Sequence, residues 1–181
     1  MKLMYENKIK TLTNFSEESY GKLNKQESKR EKTNYNIIKM IPEHIVQAAA
    51  IEAEVFSVPW TARGFADALG LDYTLFYAAC VDSILVGYCG IYLAADEGEI
   101  TNVAVSYKYR RHGIAQALVQ HTLLQAHSKG SQRIFLEVRS SNEPAISLYT
   151  KLGFHVKGKR KNFYQSPLED ALVMMYEYAD K

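Results

Sequence analysis

The segment "YRRHGIAQALVQ", Tyr109 to Gln120, runs from paired arginines through one glycine straight into an apolar-striped helix. A helix that opens this way can hold an anion. Its first N–H groups have no intrahelical partners, and the macrodipole adds partial positive charge there. Gly113 lets a ligand approach the backbone, Arg110 and Arg111 add long-range attraction, and Arg110-x-x-Gly113-x-Ala115 outlines a phosphate cradle. Further along, "FLEVRS" sets the carboxylate of Glu137 in an otherwise apolar strand, where it has either a chemical role or a structural ion pair with Arg139 or Arg133. Tyr149, in "ISLYTKLGF", borders a helical stripe of Ala145, Leu148 and Leu152, and packing alone could account for its ring.

The cradle is not a P-loop, since no Gly-Lys-Ser/Thr follows, and it has one glycine where a dinucleotide fingerprint has three. Alone, R-x-x-G-x-A fits a capped surface helix equally well. Its weight depends on the elements around it.

Those elements alternate. "YNIIKMI" reads as a short strand, and "PEHIVQAAAIEAEVF" as a helix with Pro and Glu in its first turn. "PWTARGFADAL" offers Thr61 as an N-cap. "TLFYAACV" and "ILVGYCGIYLA" form a hairpin about the turn Asp82–Ser83, and "GEITNVAVS" is a strand leading into the cradle. In the helix after Gly113, Ala115, Val119, Leu123 and Ala126 recur on one face beside Ile114 and Leu118, so that face meets a sheet. "RIFLEV" is a buried-type strand. "SNEPAISLYTKLGF" is a helix capped by Asn142, with Pro144 in its first turn and Gly153 at its end. "HVKGKRKNFY" and "DALVMMYEY" close the chain as paired strands. The order β-α-α-β-β-β-α-β-α-β-β predicts an α/β domain with a mixed sheet.

Bulk properties narrow the function classes. At 181 residues and 47% hydrophobic content the chain can form one domain with a full core. A net charge of +2 does not argue for nucleic acid, and direct binding to it is not expected. Two cysteines, Cys80 and Cys89, make neither a disulfide framework nor a zinc site, and the histidines show no ligand spacing, so no metal is expected. Residues 1–14 lack the apolar core of a secretion signal, and no apolar run approaches the ~20 residues that cross a bilayer. A cytoplasmic protein without membrane contact is expected. Residues 1–34 carry eight Lys/Arg and five Glu without sustained periodicity and read as a polar, basic, flexible extension; residues 35–181 are the folded domain.

The ordered set "FSVPW", "TNVAV", "YRRHGIAQALV", "LEVRSSNEPAISLYTKLGF" and "RKNFYQSPLEDALVM" resembles the GNAT superfamily of acetyl-CoA-dependent N-acetyltransferases. Within it the chain looks most like the ribosomal-protein-alanine N-acetyltransferases, from about Asn36 to Glu177. The resemblance implies a GNAT fold, a mixed sheet of about six to seven strands flanked by about four helices. It implies that Arg111, His112, Gly113, Ile114, Ala115 and Gln116 bind the pyrophosphate of acetyl-CoA, mostly through main-chain N–H groups. Val103, Ala104 and Val105 would flank the pantetheine, the Val105 N–H would polarise the thioester carbonyl, and Asn142 would contact the cofactor. Glu137 would be the general base, acting directly or through water, and Tyr149 the general acid toward sulfur. Trp60 and Tyr164 would line the groove for the acceptor's N-terminus. Phe163 stands where the family often has a tyrosine, and "YQSPLED" is short, which leaves peptide selectivity open.

Three readings follow. In the first, the acceptor is the N-terminus of a ribosomal protein beginning with alanine or another small residue. In the second, it is a small amine or a lysine side chain. In the third, the protein binds acyl-CoA or the ribosome without catalysis; a pure binder would need neither Glu137 nor Tyr149.

Overall fold

The computed structural model describes residues 33–179; the extension expected over residues 1–34 lies, save for Thr33 and Asn34, outside the described residues. The elements are β1 (Asn36–Lys39), α1 (Ile45–Val55), α2 (Ala62–Leu69), β2 (Thr74–Val81), β3 (Ile84–Ala94), β4 (Glu97–Val105), α3 (Ile114–Ser128), β5 (Arg133–Arg139), α4 (Glu143–Lys151), β6 (His155–Gln165) and β7 (Leu168–Glu177). Their order is the one the sequence predicts, with seven strands and four α-helices among the described residues. Two ends differ. β1 is shorter than "YNIIKMI", and Pro42–His44 forms a 3-10 turn, so α1 starts only at Ile45. Asp82 and Ser83 both have positive φ, 46° and 68°, the conformation a two-residue hairpin demands at both central positions. Thr61 caps α2 by accepting the Gly64 N–H at 3.1 Å.

The strands form one sheet in the order β1-β2-β3-β4-β5-β7-β6. All neighbours are antiparallel except β4 and β5. Adjacent residues of β2 enter different cores. Tyr77 and Ala79 join the cluster with Leu118, Val119 and Leu123 of α3, whereas Phe76 and Ala78 join Ile51 of α1 and Phe65 of α2. With both faces covered, β2 and β3 read as continuous apolar runs and not as alternating ones.

One irregularity in this sheet builds the site. β4 and β5 pair from Glu97↔Arg133 to Ile100↔Leu136 and no further. At that point β4 carries an extra residue: Ile100 lies opposite Ile91 and Asn102 opposite Gly90, which leaves Thr101 as a bulge. Beyond it, the Ser106 N–H donates to the Val86 carbonyl at 2.9 Å. Polar groups alternate along a strand, so Val103 and Val105 turn their N–H groups away from β3, into the gap between β4 and β5.

Candidate active site

A cavity of about 580 Å³ opens at the start of α3, lined by Val103, Ala104, Val105, Arg111, Gly113, Ile114, Ala115, Gln116, Asn142 and Tyr149, among others. The first turn of α3 closes with the Ala117 N–H on the Gly113 carbonyl at 3.0 Å, so the N–H groups of Ile114, Ala115 and Gln116 have no acceptor within the helix. Arg111 (φ 68°) and Gly113 (φ 77°) are both left-handed, a pattern that turns backbone N–H groups into a concave anion-binding nest. No protein atom lies within 4 Å of where a Cβ on Gly113 would sit, so it is the backbone twist that calls for glycine. Arg110 is in the wall of this cavity, but its donors are partly engaged elsewhere. Its Nε donates to the Val105 carbonyl at 3.1 Å and its guanidinium stacks on the Tyr107 ring at 3.8 Å, fixing the loop. His112 is also turned aside: its Nδ1 lies 3.2 Å from the Tyr109 carbonyl, and it lines neither this cavity nor the next. The stripe of α3 is buried as expected from Ile114 to Ala126, except that Ala115 is half-buried beside the cavity.

A second cavity, of about 590 Å³, lies on the other side of the gap, and Glu52, Trp60, Asn102, Glu137, Arg139 and Tyr164 are in its wall. The two cavities share Val55, Phe56, Val103, Arg110, Asn142, Ala145 and Tyr149. Trp60 is half-buried, its ring 5.4 Å from that of Phe65. Asn142 caps α4 by accepting the Ala145 N–H at 3.2 Å. Tyr149 differs from its expected place at the border of the apolar stripe: at 8% exposure it is the buried residue of α4, while Ala145, Leu148 and Leu152 are only half-buried. The helix is rotated so that Tyr149 packs edge-on against Phe154, with ring centroids 5.7 Å apart. Burial pushes its phenol well above the usual range, so it stays protonated at neutral pH.

Glu137 does form an ion pair, but with neither expected arginine. Its partner is Arg160 of β6. Arg133 is held instead by Asp96 at 3.0 Å and Glu97 at 3.2 Å. Arg139 fastens the mouth of the second cavity. It donates to Glu169 at 3.1 Å and to the Ser166 carbonyl at 2.8 Å, and lies over the Tyr164 ring at 4.2 Å. Across the mouth, the Ser57 hydroxyl donates to the Ser166 carbonyl, tying the α1–α2 loop to the β6–β7 turn. Glu169 also accepts the Ser141 N–H at 2.7 Å; the Ser141 and Arg139 donors hold its carboxyl down at about 2. A carboxyl lowered on folding stabilises the protein above its ordinary value of 4.5, and that contribution is lost as pH falls toward about 2. Urea titrations should therefore show a loss of stability between these pH values that is smaller in a Glu169→Gln variant. Equal losses in both proteins would mean that Glu169 is not stabilised on folding.

Sequence reasoning missed Glu52. It is 1% exposed and accepts the Trp60 N–H at 2.9 Å, the Asn102 side-chain amide at 3.0 Å and the Tyr88 hydroxyl. One carboxylate thus joins the loop before α2 to β3 and β4. Burial pushes its carboxyl up, opposed by the Trp60 and Asn102 donors. A signal was present, because Ala48, Ile51 and Glu52 share one helical face and only Glu52 among them is polar. Among the described residues no group of His, Cys, Asp and Glu could hold a metal ion, and no helix is long and apolar enough to cross a membrane.

Comparison with known proteins agrees with this architecture. The chain is 38% identical over 144 residues to a Bacillus subtilis (strain 168) protein provisionally named a ribosomal protein bS18-alanine N-acetyltransferase, which spans 79% of this chain and 95% of that protein. It is 32% identical over 126 residues to the ribosomal protein bS18-alanine N-acetyltransferase of Escherichia coli (strain K12), covering 68% and 84% of the two chains. The crystal structure of the ribosomal-protein-S18-alanine N-acetyltransferase from Escherichia coli superposes with a TM-score of 0.76 at 27% identity, over 82% of this chain and 96% of that one. The Acetyltransferase (GNAT) family is matched over residues 45–154, the stretch that carries the bulged β4, the α3 cradle, Glu137 and Tyr149, and the chain belongs to that family.

Proposed function

We propose that the protein transfers the acetyl group of acetyl-CoA to the N-terminal α-amino group of a ribosomal protein that begins with alanine or another small residue. The observation that carries this reading is the junction of two cavities at Val103, Asn142 and Tyr149, with Glu137 on one side and the α3 cradle on the other. The names of the Bacillus subtilis and Escherichia coli relatives support the class of acceptor.

The residues fit acetyl-CoA. Free first-turn amides and the left-handed Arg111 and Gly113 suit a pyrophosphate, and the inward N–H groups of Val103 and Val105, with the Ala104 segment between, suit a pantetheine arm. When bound, acetyl-CoA supplies a thioester open to attack by an amine. The Val105 N–H donates to the carbonyl oxygen, where negative charge develops. Asn142 lies beside the cofactor. His112, its ring beside the Tyr109 carbonyl, joins Arg111 and Gly113 in offering its main-chain N–H to the phosphate.

Three proton movements complete the transfer. Glu137 takes a proton from the α-ammonium, directly or through one water, so that the nitrogen can form its bond to the acyl carbon. As the carbon–sulfur bond breaks, the Tyr149 hydroxyl gives its proton to the sulfur, a role for which a phenol kept protonated by burial is suited, and the second proton that the nitrogen sheds on becoming an amide restores the phenol through water. Trp60 and Tyr164 flank the acceptor's first residue. An α-amino group, with pKa of about 8, asks less of a carboxylate base than a lysine amine at about 10.4, which favours a chain end. In the same reading the enzyme is cytoplasmic, where two free buried thiols stay reduced, and residues 35–181 form the catalytic unit behind the extension of residues 1–34.

Mass spectrometry of peptides that differ only in their first residue, incubated with acetyl-CoA alongside free lysine and polyamines, tests the proposal. Acetylation should appear at the α-amino group of small-first peptides. Preferred acetylation of lysine or a polyamine would move the acceptor to small amines or side chains, and no release of free thiol with any amine would end the catalytic reading.

A further inference from the structure

Arg160 reaches Glu137 across an intervening strand. β7 lies between β5 and β6, so the side chain spans two inter-strand steps, about 10 Å in all. The register makes this possible. Glu137 is opposite Val173 and Arg160 is opposite Ala171, and residues two apart on β7 face the same side. The small side chain of Ala171 leaves room for the guanidinium to cross.

The base of Arg160 is also held. Between Arg160↔Ala171 and Tyr164↔Glu169, β6 bulges away from regular pairing. Asn162 sits at the turn of the bulge with φ 52°, and its N–H donates to Asp170 at 2.8 Å. Lys159 reaches the same Asp170 carboxylate at 2.7 Å. The guanidinium lies over the Phe163 ring at 4.4 Å. Arg160 is not in the wall of the second cavity, whereas Glu137 is. The ion pair engages Oε1 of Glu137 from outside that cavity.

We infer that Arg160 is a positioning residue: it grips one oxygen of Glu137 from behind and leaves the other for the incoming α-ammonium. The inference rests on the reading of Glu137 as the base. The chemistry of the two groups suits it, because a guanidinium is a rigid fork of donors that is never deprotonated, and a carboxylate keeps free lone pairs when one oxygen is engaged. A lysine on the same strand would supply charge without that fixed direction.

The experiment is a double-mutant cycle. Arg160→Met and Arg160→Lys are each made in the wild-type protein and in Glu137→Gln, and turnover of an alanine-first peptide is measured at high enzyme concentration. Arg160→Met should lower kcat by about tenfold, as small misplacements of a catalytic group do, with the KM for acetyl-CoA within about twofold of wild type. Arg160→Lys should recover part of the loss. In the Glu137→Gln protein, Arg160→Met should cost nothing more, since the group it orients is gone. Thermal midpoints check folding in all variants, and Arg160→Lys serves for the same cycle if the Met variant does not fold. An equal loss in both backgrounds would overturn the inference, because Arg160 would then act only by shaping β6. If Glu137→Gln retained full activity, the base assignment itself would fall and the inference with it, an outcome distinct from an additive cycle.

Discussion

Tyr149→Phe should lower acceptor turnover by about 10²–10⁴-fold, the range expected when a positioned proton donor is removed. Acetyl-CoA affinity should stay within about twofold, because phenylalanine keeps the ring that packs on Phe154 and removes only the hydroxyl. Pre-steady-state kinetics alongside calorimetric titration of acetyl-CoA separate the two quantities. The burial of Tyr149 makes the comparison clean: the ring is fixed by its surroundings, so lost turnover reports proton supply and not a moved side chain. Wild-type turnover in this variant would take Tyr149 out of the mechanism and leave sulfur to be protonated by water.

The second large effect is on stability. Glu52→Leu has similar bulk but strands three donors, the Trp60 N–H, the Asn102 amide and the Tyr88 hydroxyl, of which Tyr88 is wholly buried. Each buried donor left unmatched costs roughly 1–3 kcal/mol, so the loss should reach about 3 kcal/mol or more by chemical denaturation. Glu52→Gln should lose less, since one oxygen can still accept. In whichever variant folds, the acceptor KM should rise more than that for acetyl-CoA, because Trp60 lines only the acceptor side. A loss under about 1 kcal/mol for Glu52→Leu would show that water replaces the carboxylate at little cost.

Local signals in the sequence carried most of the fold. The Thr61 and Asn142 caps, the Asp82–Ser83 turn and the apolar stripe of α3 each depend on residues within a few positions of one another, and each stands where the sequence puts it. The same holds for the free amides after Gly113. What could not be read depends on distant partners. Glu137 sits two residues from Arg139 and four from Arg133, yet its partner arrives from β6 through the Arg160 register and the Asn162 bulge, neither of which has a local pattern. By the stripe of its own helix Tyr149 reads as peripheral, whereas its ring packs against Phe154 beyond the helix. The place of His112 in the loop is likewise legible, but the contact of its ring with the Tyr109 carbonyl is not.

The early parting of β4 from β5 also bears on how the molecule comes apart. Four residue pairs, Glu97–Ile100 against Arg133–Leu136, are all the ladder that joins the sheet's first four strands to its last three. With so short a ladder, the two sides of the seam are held together by the apolar core they share, where Ile91 and Ile100 join Ile134, Leu136 and Met174. A ligand lodged along the inward amides of β4 would bridge the seam, so that occupancy and resistance to unfolding would rise together by mass action. A ligand in that slot would thus add contacts between β4 and β5 where their own ladder has ended.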